Sequence, residues 1–194
     1  MRLCFATRNQ HKLEEVKSLL VGTFTLMNLN DIGCHEELPE TTGSIHGNSK
    51  QKAEYVNKKF MVDCFADDSG LEVTALNKAP GVDSAIYAGY QRCHGDNMNL
   101  LLKNLYEISQ REAQFITVIT LIVAQRAFQF EGILKGTIAR EASGHGGFGY
   151  DPVFVPEGMT KTLAELTLEE KNSISHRALA VKQLVKFLGS EFYT

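Results

Sequence analysis

The sequence predicts an α/β fold built on a mixed β-sheet. Short strand and helix patterns alternate at both ends of the chain, and a long hairpin pattern lies between them. Strand–helix–strand units give parallel pairs, whereas a hairpin gives an antiparallel pair, so we expect the sheet to contain both. The strand patterns are largely apolar, which is typical of strands that helices cover.

The composition is that of an ordinary globular protein. The 194 residues are 43% apolar and 22% charged, and their number fits one domain, 1–194, with room for two lobes. The formal net charge of −3 argues against general affinity for nucleic acid or anionic membranes. We find no apolar run near the roughly 18 residues that span a bilayer and no secretory signal, so we expect a cytoplasmic protein.

The first third of the chain predicts two strands and two helices. Residues 2–6 form an apolar run with one charge, and apolar spacing over 11–20 predicts an amphipathic helix. Residues 24–29 predict a second strand. The segment 31–48 is rich in Gly, Thr, Glu and Pro and predicts a loop, and a helix is expected over about 49–60.

The middle of the chain predicts a strand that is interrupted by a polar turn. Residues 62–66 are strand-like, "DDSG" at 67–70 predicts the turn, and 71–76 resume extended structure. Residues 79–90 contain too much Gly, Pro and Ala for a regular element. A helix is expected over about 96–107.

The last third predicts the long hairpin and a final helix. Strands are expected at 113–124 and 127–139, with the turn at Gln125 and Arg126. A Gly-rich loop follows, and a helix is expected over 175–188. Residues of the second hairpin strand alternate in polarity, with Phe128, Phe130, Leu134 and Ile138 on one face and Gln129, Glu131, Lys135 and Thr137 on the other.

Two similar stretches, "CFATRN" at 4–9 and "CFADDS" at 64–69, each join a buried strand to polar residues. If these strands are parallel, both polar stretches lie at one edge of the sheet, where open α/β proteins bind ligands. Cys4 and Cys64 themselves are expected to be reduced core residues, because the cysteine spacing fits neither a zinc site nor a disulfide scaffold.

Asp67 and Asp68 are the first candidates for chemistry. Two adjacent ionised carboxylates repel each other, and here they follow an apolar strand. A hard divalent cation would relieve that repulsion and attract phosphate oxygens, after which one carboxylate could deprotonate an attacking water. The alternative is that one aspartate caps a turn and the other is solvated.

Three further stretches carry candidate ligand-binding groups. Thr7, Asn9 and Lys12 lie where a strand passes into a helix, a place where backbone N–H groups attract anions. Phe148 and Tyr150 lie on the Gly-rich loop, where exposed rings could stack on a planar base or, alternatively, be buried at a hairpin corner. Asp151, Lys171, His176 and Arg177 add polar groups, and the Arg177 guanidinium suits a carbonyl or phosphate.

Other polar residues receive no functional role. His35, His46 and His145 are scattered over segments expected to be loops, and Glu14 and Glu15 are expected on the exposed face of the first helix.

These stretches together resemble the inosine triphosphate pyrophosphatase family. The motifs are "TRNQHK", "NSKQKA", "FADDSGLEV", "APGVDSAIYAG", "GGFGYDPVF" and "EKNSISHRA", in the family's order, over residues 3–181. The resemblance implies a long twisted mixed sheet flanked by helices, with two lobes and a central cleft. It also implies a homodimer that uses Mg²⁺ and hydrolyses ITP, dITP and XTP to the monophosphate and pyrophosphate.

The resemblance also implies roles for individual residues. Asp68 would be the general base and a metal ligand, and Asp67 would support it as a second metal ligand. The substrate-binding residues would be Thr7, Arg8, Asn9, Gln10, His11, Lys12, Lys52, Ser69, Phe148, Gly149, Tyr150, Asp151, Lys171, His176 and Arg177. Donors such as Arg177 would favour the acceptor at position 6 of hypoxanthine over the amino group of adenine.

Two positions depart from the family pattern. His46 and Gly47 stand where a metal-binding glutamate is expected, and Ile86 stands where an arginine is common. Glu72 or Asp67 could replace the missing carboxylate. Two alternatives therefore stay open: a nucleotide-binding protein with little catalysis, and a pyrophosphatase like the related Maf proteins that acts on another nucleotide.

Overall fold

The computed structural model describes residues 2–20 and 24–192. Its strands are β1 (Arg2–Phe5), β2 (Thr25–Met27), β3 (Cys64–Val73), β4 (Pro80–Gly81), β5 (Glu112–Val123), β6 (Arg126–Ile138) and β7 (Phe154–Pro156). Its α-helices are α1 (Gln10–Leu19), α2 (Ile45–Phe60), α3 (His94–Asn104), α4 (Leu168–Ile174) and α5 (His176–Phe192). Short 3₁₀ helices lie at Asn30–Ile32, Thr74–Leu76, Asp151–Val153 and Leu163–Glu165.

Seven strands of the described chain form one mixed sheet, in the order β2-β1-β3-β5-β6-β7, with β4 paired to β3. The pairs β1–β2 and β1–β3 are parallel. The pairs β3–β4 and β6–β7 are antiparallel. The predicted α/β fold with a mixed sheet is therefore confirmed.

The chain divides into two units. The first comprises Met1–Asp68, Thr117–Gly132 and His176–Thr194, and the second comprises Ser69–Ile116 and Ile133–Ser175. The first unit buries Leu3, Phe5, Phe65 and Ile119 together with the apolar side of α5. The second unit buries Leu71, Leu101, Phe115, Val153 and Phe154. Each unit thus has a hydrophobic core of its own.

The two similar stretches are neighbours in the first unit, in register. Cys4 pairs with Cys64 and Phe5 with Phe65 on the parallel strands β1 and β3. The rings of Phe5 and Phe65 are stacked, with centroids 4.6 Å apart and planes 9° apart. The prediction that these strands are parallel neighbours is confirmed, and Ala6 N–H bonds to the carbonyl of Phe65 at 2.8 Å. The polar residues that follow Phe5 and Phe65 therefore start side by side, but β1 ends at Phe5 whereas β3 continues to Val73.

The predicted turn at residues 67–70 is wrong. Strand β3 runs without a break through Asp67, Asp68, Ser69 and Gly70 to Val73. Local sequence favours a turn there, because Asp, Ser and Gly have low strand propensity. Tertiary contacts override this preference, since both carboxylates meet cations that the fold brings to them.

The observed bounds of other elements differ from the predicted ones by a few residues. Helix α2 begins at Ile45, capped by the Ser44 hydroxyl, so the predicted loop over 31–48 was too long. The hairpin is confirmed, but its turn residues are Ala124 and Gln125, both with positive φ, as the twist of a two-residue hairpin requires. A separate helix, α4, precedes the last helix α5.

Among the described residues, we find no helix that is long and apolar enough to cross a bilayer.

The cysteines are reduced, and their burial gives a testable expectation. Cys4, Cys34 and Cys64 are buried and Cys93 is exposed. Burial raises the pKa of both Cys4 and Cys64 to about 12, so their reactive thiolate forms are scarce at neutral pH.

We expect a thiol reagent such as dithionitrobenzoate to titrate one thiol rapidly in the native protein and four in guanidinium chloride. More than one fast native thiol would contradict this burial, and Cys93→Ser provides the control.

Candidate active site

A group of charged side chains lies in the first unit at the edge where β1 ends. We call it the ionic cluster. Its members are Lys12 and Glu15 from α1, Glu40 from the loop before α2, Lys52 from α2, Asp67 and Asp68 from β3, and Arg177 from α5.

Asp67 is neutralised by two cations. It is 1% exposed, and its Oδ2 lies 2.9 Å from Lys12 Nζ and 3.3 Å from Arg177 Nε. Burial by itself would raise the pKa of Asp67, but the charges of Lys12, Arg177 and Lys52 hold that pKa well below its usual range. Asp67 is therefore ionised in the folded protein.

Asp68 has a different environment although it is the next residue. Its Oδ1 accepts a hydrogen bond from Lys52 Nζ at 3.1 Å, and Lys52 also donates to Glu40 at 2.6 Å. Burial raises the pKa of Asp68, Glu40 raises it further, and Lys52 and Lys12 lower it, with a net rise. Its Oδ2 is buried and has no hydrogen-bond partner among the described residues.

Arg177 joins helices α1 and α5 to strand β3. It is 2% exposed, with Nη1 bonded to Glu15 and Nε directed to Asp67. Burial would lower the pKa of Arg177, but Glu15 and Asp67 raise it. We expected its donors to face a ligand. In this structure, buried carboxylates from two other elements take these two donors, and substrate binding by Arg177 stays a prediction.

Gly132 on β6 lets the first turn of α5 approach the sheet. A side chain there would overlap the backbone of His176, and its Cβ would lie 2.7 Å from the amide nitrogen of Ala180. Since His176 is 5% exposed and Arg177 follows it, this close contact fixes the position from which Arg177 enters the ionic cluster.

The ionic cluster shows what makes adjacent carboxylates tolerable in a buried strand. Three protein cations surround Asp67 and Asp68, and the metal ion that we predicted there stays a prediction. When all members are ionised, four carboxylates face three cations, so one negative charge is left over. That surplus negative charge fits a cation.

The donor set matches the ion we predicted only in part. Lys12 and Arg177 hold the Oδ2 of Asp67, so this oxygen is not available to a metal ion. Asp68 and Glu40 lie close to each other, because Lys52 Nζ is 3.1 Å from Asp68 Oδ1 and 2.6 Å from Glu40 Oε1. In the described part of the chain, no group of three or more His, Cys, Asp or Glu side chains is arranged to hold a metal ion. Two carboxylates nevertheless suit Mg²⁺, which keeps waters and substrate phosphates as its other ligands.

The polar side chains from Thr7 to Lys12 either order the start of α1 or bond to a neighbouring loop. Asn9 caps α1 by accepting from Lys12 N–H at 3.1 Å, and Thr7 Oγ1 accepts from Asn9 N–H at 3.2 Å. Arg8, predicted to bind substrate, instead donates to the carbonyls of Cys34 and Glu36. The Arg8 side chain thus secures a loop, and its predicted contact with substrate stays a prediction.

In the second unit, Lys171 and Asp151 form a buried ion pair next to Phe148. Lys171 Nζ lies 2.6 Å from Asp151 Oδ2, and the two side chains are 4% and 3% exposed. The same Asp151 oxygen accepts from Phe148 N–H at 2.8 Å, and Lys171 Nζ lies 5.0 Å from the Phe148 ring centroid. These contacts fix the half-buried Phe148 ring on its glycine-rich loop.

Tyr150 does not present an exposed ring. It is 4% exposed, its ring belongs to the core of the second unit, and its hydroxyl donates to the Ser84 carbonyl at 2.9 Å. Burial raises the pKa of its hydroxyl. The expectation of a stacking surface is wrong for Tyr150, and the alternative of a buried aromatic corner is the observed one.

Sequence reasoning missed three residues near these sites. Glu15, expected to be exposed, is 5% exposed and pairs with Arg177; its position four residues before the inward-facing Leu19 could have revealed this. Glu40 carries no signal that separates it from Glu36 or Glu37 in the same loop. His94 lies 6.1 Å from the Phe148 ring and accepts from Gly149 N–H at 3.4 Å, a contact that only the fold creates.

His46, one of the residues that depart from the family pattern, lies in a different element from the one predicted. His46 lies in the first turn of α2 and not in a loop, and its Nε2 lies 2.9 Å from Glu131 on β6.

Comparison with known proteins identifies the family. A model described as the Ham1 family matches residues 3–187. The chain belongs to the Ham1 family. Its relatives include the dITP/XTP pyrophosphatases of Flavobacterium johnsoniae and Porphyromonas gingivalis, each 52% identical over at least 96% of both chains. The solved Ham1 protein of Staphylococcus aureus is 35% identical, with a TM-score of 0.90 over 98% of this chain and 100% of that one.

The Ham1 family match covers both the ionic cluster and the buried pair of Lys171 and Asp151. It spans the segments that supply Lys12, Lys52, Asp68, Lys171 and Arg177. The expected family resemblance and fold are confirmed, and with them the assignment to the hydrolases that act on phosphoric anhydrides. Enzymes of this kind generally need a divalent metal.

The charges around Asp67 give a testable pH dependence of stability. Because its pKa is depressed in the folded state, Asp67 stabilises the protein above its unfolded pKa of about 3.9 and loses this effect as pH falls below that value. In metal-free buffer, we expect the free energy of unfolding to fall from about pH 5 downwards, and Asp67→Asn to flatten this fall. Urea titrations at several pH values measure it. Asp83→Asn, at an exposed turn of the second unit, should keep the wild-type slope, and an equally steep fall in Asp67→Asn would refute the pairing.

Proposed function

We propose that this protein hydrolyses the non-standard purine nucleoside triphosphates ITP, dITP and XTP to the monophosphate and pyrophosphate, and so cleanses the nucleotide pool. One observation carries the proposal: a Ham1 family chain holds Asp68 with a buried oxygen that has no hydrogen-bond partner among the described residues, next to the buried Lys52 and the half-buried Lys12. The names of the relatives, dITP/XTP pyrophosphatase, support the substrate class.

The first unit offers the groups that a triphosphate needs. Lys12 and Lys52 are cations on α1 and α2, and they can exchange part of their pairing with Asp67, Asp68 and Glu40 for phosphate oxygens. The N-terminus of α1 carries no acidic residue in its first turn, so its N–H groups favour an anion. We assign triphosphate binding to Thr7, Asn9, Gln10, His11, Lys12 and Lys52.

Mg²⁺ is the proposed metal, and Asp68 and Glu40 would hold it. When bound, the ion would neutralise phosphate charge and take up the surplus negative charge of the ionic cluster. Asp67 remains the supporting residue, because its contacts with Lys12 and Arg177 fix the strand position of its neighbour.

Asp68 is the proposed general base. A water oxygen attacks the α-phosphorus, the bond from the α-phosphorus to the bridging oxygen breaks, and pyrophosphate leaves. Asp68 Oδ2 accepts the proton of the attacking water. Lys12 and Lys52 stabilise the negative charge that gathers on the phosphate oxygens, and the rest of the reaction is positioning.

The second unit supplies the proposed base-binding residues. Phe148 presents a half-buried ring whose orientation Lys171, Asp151 and His94 fix, and such a ring can stack on a purine. Ser69, Gly149 and His176 complete the proposed substrate contacts. The preference for an acceptor at position 6 of the purine must come from donors other than Nε and Nη1 of Arg177, because carboxylates hold those.

Assembly and location are part of the same proposal. We infer that both units act as a single pyrophosphatase domain, since the family match at 3–187 includes segments of each. We also propose a cytoplasmic homodimer that binds neither nucleic acid nor membrane, on the basis of the family resemblance and the net charge of −3.

Release of pyrophosphate tests the function directly. We expect Mg²⁺-dependent release from ITP, dITP and XTP and at least tenfold slower release from GTP, ATP and pyrimidine triphosphates. Binding of ITP without pyrophosphate release would favour the alternative of a catalytically weakened nucleotide-binding protein. Preference for a pyrimidine triphosphate would favour the Maf-like alternative.

The role of Asp68 is tested by an isosteric variant. We expect Asp68→Asn to lower turnover of ITP by about 10²- to 10⁴-fold, because the amide cannot accept the proton, while ITP binding measured by calorimetry persists. Asp83→Asn should behave like the wild type. Turnover within a few-fold of the wild type in Asp68→Asn would refute the assignment.

A further inference from the structure

The glycine-rich loop of the second unit, residues 143–151, is attached at its base by backbone hydrogen bonds. Ser143 N–H donates to the Pro152 carbonyl at 2.8 Å, and Gly146 N–H donates to the Ala164 carbonyl at 3.0 Å. Because backbone amides do not titrate, these bonds hold the base of the loop equally at every pH at which the protein is folded.

Two side-chain contacts hold the tip of the loop around Phe148. Asp151 Oδ2 accepts from Phe148 N–H at 2.8 Å and lies 2.6 Å from Lys171 Nζ. The Tyr150 hydroxyl donates to the Ser84 carbonyl at 2.9 Å, and burial raises the pKa of Tyr150, so this donor keeps its proton. Carboxylates, ammonium groups and phenols ordinarily gain or lose protons outside the range from pH 5 to pH 8.

His94 supplies a third contact with the tip, and it is of a kind that titrates. Its Nδ1 accepts from Gly149 N–H at 3.4 Å, and its ring centroid lies 6.1 Å from that of Phe148, with the planes 39° apart. Gly149 has a φ of +64°, and beyond its chain neighbours no described atom lies within 4 Å of an added Cβ. At this point of the loop, the bond to His94 takes the place of side-chain packing.

The helix that carries His94 is firmly placed. His94 is the first residue of α3, and Asn97 in the same turn is 2% exposed. Asn97 Oδ1 accepts from Ala88 N–H at 2.7 Å, and its Nδ2 donates to the Ala85 carbonyl at 3.0 Å. Leu101, one turn later, belongs to the core of the second unit. The imidazole is therefore presented from a rigid element, as positioning requires.

The contact between His94 and Gly149 depends on protonation. An imidazole nitrogen accepts a hydrogen bond only while it carries no proton, and histidine ordinarily gains its proton between pH 8 and pH 5. His94 is exposed, so protons reach it from solvent. A protonated Nδ1 would turn an N–H toward the Gly149 N–H, and the attraction would become repulsion. The other charged or titratable groups of α3, the segment before it, the loop and α4 nearest this contact are Arg92, Asp96, His145, Asp151 and Lys171.

We propose that His94 is a positioning residue of the base-binding loop: its neutral imidazole holds Phe148 in place for the purine, and its protonation releases the tip of the loop. This inference rests on the proposed function of the same loop. A released loop must lose conformational freedom again when the purine binds, so substrate affinity falls as the pH falls.

The effect appears in KM and not in kcat. The groups proposed for the chemical step, Asp68, Lys12 and Lys52, belong to the first unit, whereas His94 and Phe148 belong to the second. A contact that holds the purine equally in the ground state and the transition state changes KM alone. A merely structural contact would change the stability of the protein and leave the pH profile of KM as it is.

The experiment measures KM and kcat for ITP at saturating Mg²⁺ from pH 8 to pH 5.5 in the wild type and two variants. His94→Asn keeps an acceptor near the position of Nδ1 but cannot titrate, and His94→Phe keeps a ring beside Phe148 but has no acceptor. Each KM is divided by that of His94→Asn at the same pH, which cancels the titration of the triphosphate and of Asp68.

We expect the wild-type KM to equal that of His94→Asn within about twofold at pH 8 and to rise to about three to ten times that value at pH 5.5. His94→Phe should show the three- to tenfold higher KM at both pH values. In both variants, kcat should stay within about twofold of the wild type at each pH.

A matched control separates His94 from the other histidine near this contact. His145 is also exposed and lies on the glycine-rich loop itself. We expect His145→Asn to keep the wild-type pH profile of KM. Thermal unfolding of all three variants at pH 8 checks that substitution of these exposed side chains leaves the fold intact.

Several outcomes would overturn the inference and leave the proposed function intact. They are a ratio of wild-type to His94→Asn KM that stays constant from pH 8 to pH 5.5, a wild-type KM in His94→Phe at pH 8, and loss of the pH dependence in His145→Asn. Absence of ITP turnover in the wild-type protein at every pH would instead overturn the proposed function, and with it the role of His94.

Discussion

The structure depends on the neutralisation of two adjacent carboxylates inside a β-strand. Asp67 and Asp68 lie at buried positions of β3, where an unpaired charge would be strongly unfavourable. Cations from three different helices, Lys12, Lys52 and Arg177, meet them there. Because each cation comes from a separate element, the strand can continue through Asp67 and Asp68 only when α1, α2 and α5 are all packed in place.

The hydrophobic packing of the first unit positions these charged residues. The in-register pairing of β1 with β3 and the stacked rings of Phe5 and Phe65 fix the end of β1 beside the part of β3 that leads to Asp67. Helix α1 follows β1 closely, so the same pairing sets the position of Lys12. Gly132 lets α5 approach β6, which sets the position of Arg177. The hydrophobic core thus determines the geometry of the charges that lie at its edge.

Two neighbouring aspartates acquire opposite properties from this environment. The cations around Asp67 hold its pKa well below the usual range, whereas burial raises the pKa of Asp68. Asp67 is suited to a fixed structural charge, and Asp68, with one oxygen unbonded among the described residues, is suited to accept a ligand or a proton. Separation of pKa values between nearby carboxylates is a common basis for assigning different roles to them. In the second unit, the buried pair of Lys171 and Asp151 serves a simpler purpose, since it fixes Phe148.

The sequence by itself determined the elements with strong periodicity, the mixed sheet and the family. Apolar runs and helical spacing are local properties, so the strands at 2–5 and 112–138 and the helix at 10–19 were predictable to within a few residues. The sequence also marked Asp67, Asp68, Lys12 and Arg177 as candidates. Only the tertiary structure decided what these residues contact: that Asp67 pairs with Lys12 and Arg177, that Arg8 secures a loop, that Tyr150 is buried and that Glu15 and Glu40 belong to the ionic cluster. The physical reason is that a charged side chain carries no local signal for its partner. Its environment is set by residues up to 162 positions away in the chain, as for Glu15 and Arg177, which meet only after the core has formed.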